Sequence, residues 1–194
     1  MKKITFQGEY GAYSHLACTE AFSDLEPIPC RTFESALGSV RTGDSDLAMI
    51  PVENSVAGRV ADIHYLLGDY DLKIYSEHFQ KVEHQLLVKS GVNLKDVKCV
   101  RSHSMAIGQC QSVIKELGLQ AIVMADTAGS AKYISEQENS KDAAIASKLA
   151  AQTYGLEIAK DNIQDMQHNT TRFLIMSKEL QQKKEENVKC LTSC

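Results

Sequence analysis

The alternation of short β-branched runs with stretches of helical period constrains this chain more than any other feature. Lys3–Phe6 reads as a strand and is followed by Tyr13–Phe22, where Leu16, Ala17, Ala21 and Phe22 fall on the inner face of a helix. The order repeats through Ile28–Phe33, Glu34–Arg41, Asp46–Pro51 and Val60–Tyr70, giving a βαβαβα opening. Further strands are predicted at Val97–Val100, Ala121–Met124, Ala143–Ala146, Glu157–Ile163 and Arg172–Ser177. Between them lie a helix carrying Ala106, Cys110, Val113, Ile114 and Leu117 on one face, and helices near Ala128–Gln137 and Lys148–Tyr154. Strands spaced by helices in this way predict an α/β fold with mostly parallel sheets, joined by right-handed crossovers and covered by helices.

One segment does not fit a single sheet. Leu72–Lys89 is too long for an ordinary strand and is broken by Gln80-Lys81-Val82-Glu83, as expected where a chain leaves one sheet and enters another. A chain of 194 residues has room for two small lobes, and a crossing of this kind leaves a cleft between them. After Ser177 the polar run Lys178–Asn187 has the composition of a linker or solvated helix, and Val188–Cys194 reads as the start of another strand.

Composition removes several functional classes. The net charge of −4 comes from interleaved acids and bases, so there is no basic stripe to hold a nucleic acid. No run approaches the ~20 apolar residues of a membrane span. Ile4-Thr5-Phe6 meets Gln7-Gly8-Glu9 too soon to be a signal core, so the expected compartment is the cytoplasm. The six cysteines, Cys18, Cys30, Cys99, Cys110, Cys190 and Cys194, show no C-x-x-C or zinc spacing and are expected to be reduced. Gly8-x-x-Gly11 does not extend to G-x-G-x-x-G, no P-loop occurs and the histidines are dispersed, so neither a nucleotide cofactor nor a metal is expected.

What remains are polar strand ends: Gly8–Ser14, Asn54-Ser55, Ser102-His103-Ser104 and Asp126–Ser130. In a parallel sheet such ends share an edge, where backbone N–H groups and helix N-termini receive a carboxylate, although the same residue types are also ordinary N-caps. Two corners are denser. Pro51-Val52-Glu53-Asn54-Ser55 concentrates an acid, an amide and a hydroxyl after a strand, and His168-Asn169-Thr170-Thr171-Arg172-Phe173 opens the last strand in the same manner.

These corners belong to an ordered set of motifs. The chain shows F-x-G-x-x-G-x-x-S at Phe6–Ser14, Pro-Val-Glu-Asn-Ser at 51–55 with Gly58 after it, Ser102-His103 with Gln109-Cys110 further on, and Asp126-Thr127-Ala128. Ala143–Ala146, Tyr154-Gly155-Leu156 and Asn169-x-Thr171-Arg172-Phe173 follow. Spanning about residues 3–177, the set resembles the prephenate dehydratases. The resemblance implies a two-lobed fold like type II periplasmic binding proteins, with one lobe of about 1–77 plus 164–178, another of about 78–163, and the active site in the cleft between them.

It further implies a cofactor-free conversion of prephenate to phenylpyruvate, with loss of water and carbon dioxide, in L-phenylalanine biosynthesis. Thr171, Arg172, Phe173 and Glu53 are the implied catalytic group. Asn54, Ser55, Ser102, His103, Thr127, Gly11 and Asn169 are implied to bind substrate. Thr171 would be a hydrogen-bond donor or a general acid toward the departing oxygen, Arg172 would grip the pyruvyl carboxylate, and Phe173 would be an apolar wall or plain core. Glu53 would be an acid/base partner or a structural acceptor. Where the family usually reads Ser-His-Pro-Gln, this chain has Ser102-His103-Ser104-Met105, with Ser104 expected to cap the next helix. Members commonly carry a C-terminal ACT domain that binds phenylalanine. Residues 179–194 are expected to be a linker and the start of that domain, and the full-length protein to be a dimer or tetramer. Arogenate dehydratase, and a carboxylate or amino-acid binding module on the same fold, are the alternatives.

Overall fold

The computed structural model describes residues 2–138 and 140–179. The expected linker and final strand at 180–194 lie outside them, and so do Cys190 and Cys194. The described residues form two lobes, each with its own sheet.

In the first lobe the strands are β1 (Lys3–Gln7), β2 (Glu26–Cys30), β3 (Leu47–Asn54), β4 (Gly58–Arg59), β5 (Lys73–Lys81) and β11 (Thr170–Ser177). They run in the order β2-β1-β3-β11-β5, with β4 paired to β3. Helices α1 (Tyr13–Ala21), α2 (Phe33–Thr42) and α3 (Ala61–Asp69) accompany them. Both faces of β3 are covered, so its first half is a continuous apolar run rather than an alternation. Leu47 and Met49 join Ile4, Phe6, Ala17 and Phe173 on the α1 side, and Ala48, Ile50 and Val52 join Leu37, Val40 and Ile63 on the other. Helix α2 shows how local signals place an element. Thr32 accepts the Ser35 N–H at 3.1 Å to start it, Gly43 ends it at φ 89°, and Ala36, Leu37 and Val40 make its buried stripe. Truncating fully buried Leu37 to alanine would cost about 2–5 kcal/mol.

The second lobe contains β6 (Gln85–Val88), β7 (Cys99–Ser102), β8 (Gln120–Val123), β9 (Ala143–Ala146) and β10 (Glu157–Lys160), ordered β10-β6-β9-β7-β8. Its helices are α4 (Ser104–Gly108), α5 (Gln111–Glu116), α6 (Thr127–Glu136) and α7 (Lys148–Tyr154). The sheets are mixed rather than mostly parallel. The βαβ units make parallel pairs, β1 with β2 and β3, and β7 with β8 and β9. Strands next to the crossovers run the other way: β11 against β3 and β5, and β6 against β9 and β10. A chain that crosses between lobes and returns brings its last strand back antiparallel, which periodicity alone does not reveal.

The overlong segment does divide as its composition suggested, into β5 and β6 in different sheets. The two crossovers are tied together: Val82 N–H donates to the Asn169 carbonyl at 2.8 Å, and Ile163 N–H to the His84 carbonyl at 2.9 Å. A second seam joins the lobes at the loop after β1. Ser147 Oγ donates to the Gly11 carbonyl at 2.5 Å, and Tyr154 Oη to the Tyr10 carbonyl at 2.7 Å. Gly11 has φ +86°, and a Cβ there would stand 2.7 Å from Ala150 Cα, so only glycine permits this approach.

The helix expected across Ala106–Leu117 is two short ones. Asp165, from the second crossover, accepts the Gln111 and Ser112 N–H groups and donates its own N–H to the Gln109 carbonyl at 2.7 Å. The break is thereby satisfied, and the Gln109 side chain is released toward the cleft.

Candidate active site

Strands β3 and β11 carry the two dense polar corners and meet at the cleft. Thr171 faces Asn54 and Arg172 faces Glu53, yet Phe173 faces Pro51, which makes Val52 the extra residue of a β-bulge. Val52 and Glu53 therefore both fall on the side that Arg172 occupies, and Asn54 comes round to the side of Thr171. Burial of Val52 against α2 and α3 agrees with this.

The cleft has a volume of about 260 Å³. Tyr13, Asn54 and Thr171 line it from the first lobe, and Val82 and His84 from the crossover. His103, Met105, Gln109, Asp126 and Thr127 line it from the second lobe. A larger cavity of about 580 Å³ lies behind Tyr13, among Gln80, Lys148 and Asn162, and its lining holds none of Asn54, His103, Thr127 and Thr171. The smaller cleft is the candidate site because both motif corners open into it.

The polar side chains of the cleft are strung together. Asn54 Oδ1 accepts the backbone N–H groups of Val56 at 2.9 Å and Ala57 at 2.8 Å. Only the oxygen can meet two donors, so Nδ2 is turned toward Thr171 Oγ1 at 3.0 Å and Asn169 Oδ1 at 2.8 Å. Thr171 is thus the acceptor of that bond, and its own hydrogen is left for the cleft. Buried Asn169 donates to Gln109 Oε1 at 2.9 Å, and the same oxygen lies 2.8 Å from His84 Nε2. His84 Nδ1 is 2.8 Å from the Tyr13 hydroxyl, which also lies 2.9 Å from the Glu83 carbonyl. Burial, with lesser contributions from Cys110 and Glu83, pushes the Tyr13 phenol well above its ordinary range. Burial also pushes the His84 imidazole down, against a smaller opposing effect of its bond to Gln109, so both groups are neutral near pH 7.

The remaining sequence-predicted residues divide by position. Thr127 opens α6, capped by the Asp126 carboxylate on Gly129 N–H at 2.6 Å. His103, not Ser104, caps α4, accepting the Met105 N–H at Nδ1 over 3.3 Å, because the histidine is the residue left in extended conformation. Ser102 is fully buried and donates to the Ile145 carbonyl at 2.6 Å, clamping β7 to β9. Ser55 is exposed and clips the strand ends, donating to the His168 carbonyl at 3.1 Å and accepting Thr170 N–H at 3.0 Å. Gly11 belongs to the seam between lobes.

Three of the four residues of the implied catalytic group lie outside the cleft lining. Strand alternation sends Arg172 to the opposite face from Thr171, where its Nε meets Glu77 Oε2 at 2.8 Å. Phe173 is core, at 1% exposure beside Ile4 and Phe6. Glu53 is exposed beside Arg59 of β4. In exchange, Tyr13 and His84 enter the site: Tyr13 lies inside the Gly8–Ser14 strand end, where its own residue type does not mark it, and His84 is a crossover residue with no local signal.

Among the described residues no group of three His, Cys, Asp or Glu side chains could hold a metal ion, and no helix is long and apolar enough to cross a membrane. Buried Cys110 is pushed up to about 12, by burial first and Asp165 second, and is a poor nucleophile near pH 7.

Known proteins resemble this chain over most of its length. A bifunctional N-acyl-homoserine lactone acylase/prephenate dehydratase of Komagataeibacter europaeus is 47% identical over 90% of this chain, which spans 62% of that protein. Arogenate dehydratase/prephenate dehydratase 1 of Arabidopsis thaliana is 43% identical over 91% of the chain, which spans 45% of it. The crystal structure of prephenate dehydratase from Arthrobacter aurescens, in complex with L-Phe, superposes with a TM-score of 0.84 at 31% identity, covering 91% of this chain and 60% of that one. The prephenate dehydratase family model matches residues 4–181, and the chain belongs to that family.

Proposed function

We propose that this chain is a carbon–oxygen lyase that converts prephenate to phenylpyruvate, releasing water and carbon dioxide, as a step toward L-phenylalanine. The observation that carries this reading is the polarity at Thr171. Its oxygen already accepts the Asn54 N–H, so its hydrogen is the part offered to a ligand in the cleft.

As the ring C–O bond breaks, the electron pair of the breaking C–CO₂ bond moves into the ring, which becomes aromatic, and the departing hydroxide takes a proton from solvent to become water. A hydroxyl that stabilises charge growing on that oxygen lowers the barrier without giving up its proton. Asn54 is a donor and cannot return a proton, which favours Thr171 as hydrogen-bond donor over Thr171 as general acid. The pyruvyl carboxylate is received by the second-lobe wall, at Thr127 with His103 beside it, because Arg172 is engaged by Glu77 on the other face. Ser55, Ser102, Gly11, Glu53 and Phe173 shape the site through strands, seam and core rather than by touching substrate.

The acylase activity in the name of the Komagataeibacter relative calls for an activated nucleophile. Thr171 meets a donor where such a nucleophile needs a base.

Incubation with prephenate followed by alkali should give the phenylpyruvate chromophore, and a parallel incubation with arogenate should be assayed for phenylalanine. If prephenate binds but neither product forms, the chain is a binding module and the lyase reading is wrong.

A further inference from the structure

Five hydrogen bonds join Tyr13 to Thr171 through side chains of both lobes. Their direction can be worked out from the backbone end. The Val56 and Ala57 amides set Asn54, Asn54 sets Asn169, and Asn169 gives its remaining N–H to Gln109 Oε1. The ring nitrogen that meets this oxygen, His84 Nε2, must therefore carry a hydrogen. A neutral imidazole has one N–H, so Nδ1 is a bare lone pair and the Tyr13 hydroxyl donates to it. Of its two neighbours, Tyr13 thus serves the histidine and not the Glu83 carbonyl.

The location of His84 gives this arrangement its meaning. The residue is 3% exposed in the first crossover, and its backbone is bound to the second, with N–H on Gln164 Oε1 at 2.9 Å and carbonyl receiving Ile163. Gln109 belongs to the second lobe and Asn169 leads into β11 of the first, so the bond between them reports how the lobes are aligned. Without His84, the Gln109 amide would lose the partner that keeps its oxygen toward Asn169.

We infer that His84 is a positioning residue for the reaction: its Nε2–H, with Tyr13 closing its other nitrogen, holds the Gln109 oxygen on Asn169 and so steadies the Asn169–Asn54 pair that aims the Thr171 hydroxyl hydrogen into the cleft. The inference rests on the dehydratase reading and adds to it a residue that acts through Thr171 without touching substrate.

The test is a double-mutant cycle on the full chain, with kcat and KM measured separately. His84→Leu should lower kcat roughly tenfold, the size that coupling within one hydrogen-bond network reaches, while KM stays within about twofold. His84→Gln, which can offer an N–H near the position of Nε2, should recover most of the loss. In a Thr171→Ala background His84→Leu should change kcat no further, since no hydroxyl remains to be aimed. An equal loss in both backgrounds, or a change in KM alone, would overturn the role. Imidazole ¹⁵N shifts of the unmutated protein check the same claim without any variant. They should show His84 with Nε2 protonated and Nδ1 bare at neutral pH, and the opposite tautomer would overturn it. A wild type inactive on both prephenate and arogenate would sink the lyase reading and this role together, whereas an active wild type with additive losses sinks the role alone.

Discussion

The two walls of the cleft are built differently. On the first lobe, Thr171 and Asn54 come from adjacent strands of a central sheet, and every amide orientation traces back to backbone donors. On the second, His103 and Thr127 stand at the starts of helices, and half-exposed Met105 of α4 adds an apolar side chain to the same wall. A sheet-borne, fully bonded wall suits the reacting oxygen, where small displacements are costly, and a wall of helix ends suits the recognition of a carboxylate common to ground and transition states.

That contrast can be broken by mutation. The largest effect is expected at Thr171→Ala, which should lower kcat by roughly 10²-fold with little change in KM. A folded variant with near-normal kcat would move the reacting centre off the first-lobe wall. Thr127→Val should do the reverse, raising KM by about tenfold with kcat nearly intact, because it removes a contact made equally in both states. If kcat falls instead, the second wall also takes part in the chemistry.

Gly11→Ala tests whether the walls are held at a fixed spacing. Its Cβ has no room against Ala150, and a cost of about 1–3 kcal/mol should lower Tm by roughly 5 °C. Acid should act on stability more gently. Burial holds His15 and His84 below their ordinary 6.5, so the unfolded chain takes up protons before the native one. Their contribution is intact above about pH 6.5 and is lost as pH falls below it, and Tm at about pH 5.5 should lie below that at about pH 7.5. The smallest effect is expected at Arg172→Ala, where a half-exposed ion pair with Glu77 is worth about 0–1 kcal/mol and KM should stay within about twofold. A large rise in KM would show that Arg172 leaves Glu77 to grip the substrate.

The strands and helices were legible because burial on two faces or one leaves a period in the sequence, and the change of sheet was legible because Leu72–Lys89 exceeds what one strand uses. The corners were legible as clusters of polar residues at strand ends. Which member of each corner faces the cleft was not. Thr171, Arg172 and Phe173 are adjacent in sequence yet end in cleft, surface ion pair and core: strand alternation turns Arg172 away from the other two, and position along β11 separates Thr171 at the cleft end from Phe173 in the core. The pairing of His84 with Tyr13 left no trace, since it links positions 71 residues apart.

The bulge at Val52 gives β3 something like a reading frame. Up to Ile50 the strand is spelled in one phase, and beyond Val52 it is spelled in the other. Were β3 to pair straight through, with Val52 opposite Arg172, the frame would shift by one and Glu53 would replace Asn54 beside Thr171. A carboxylate there accepts where the amide donates, and it would claim for itself the hydrogen that the threonine now holds out to the cleft.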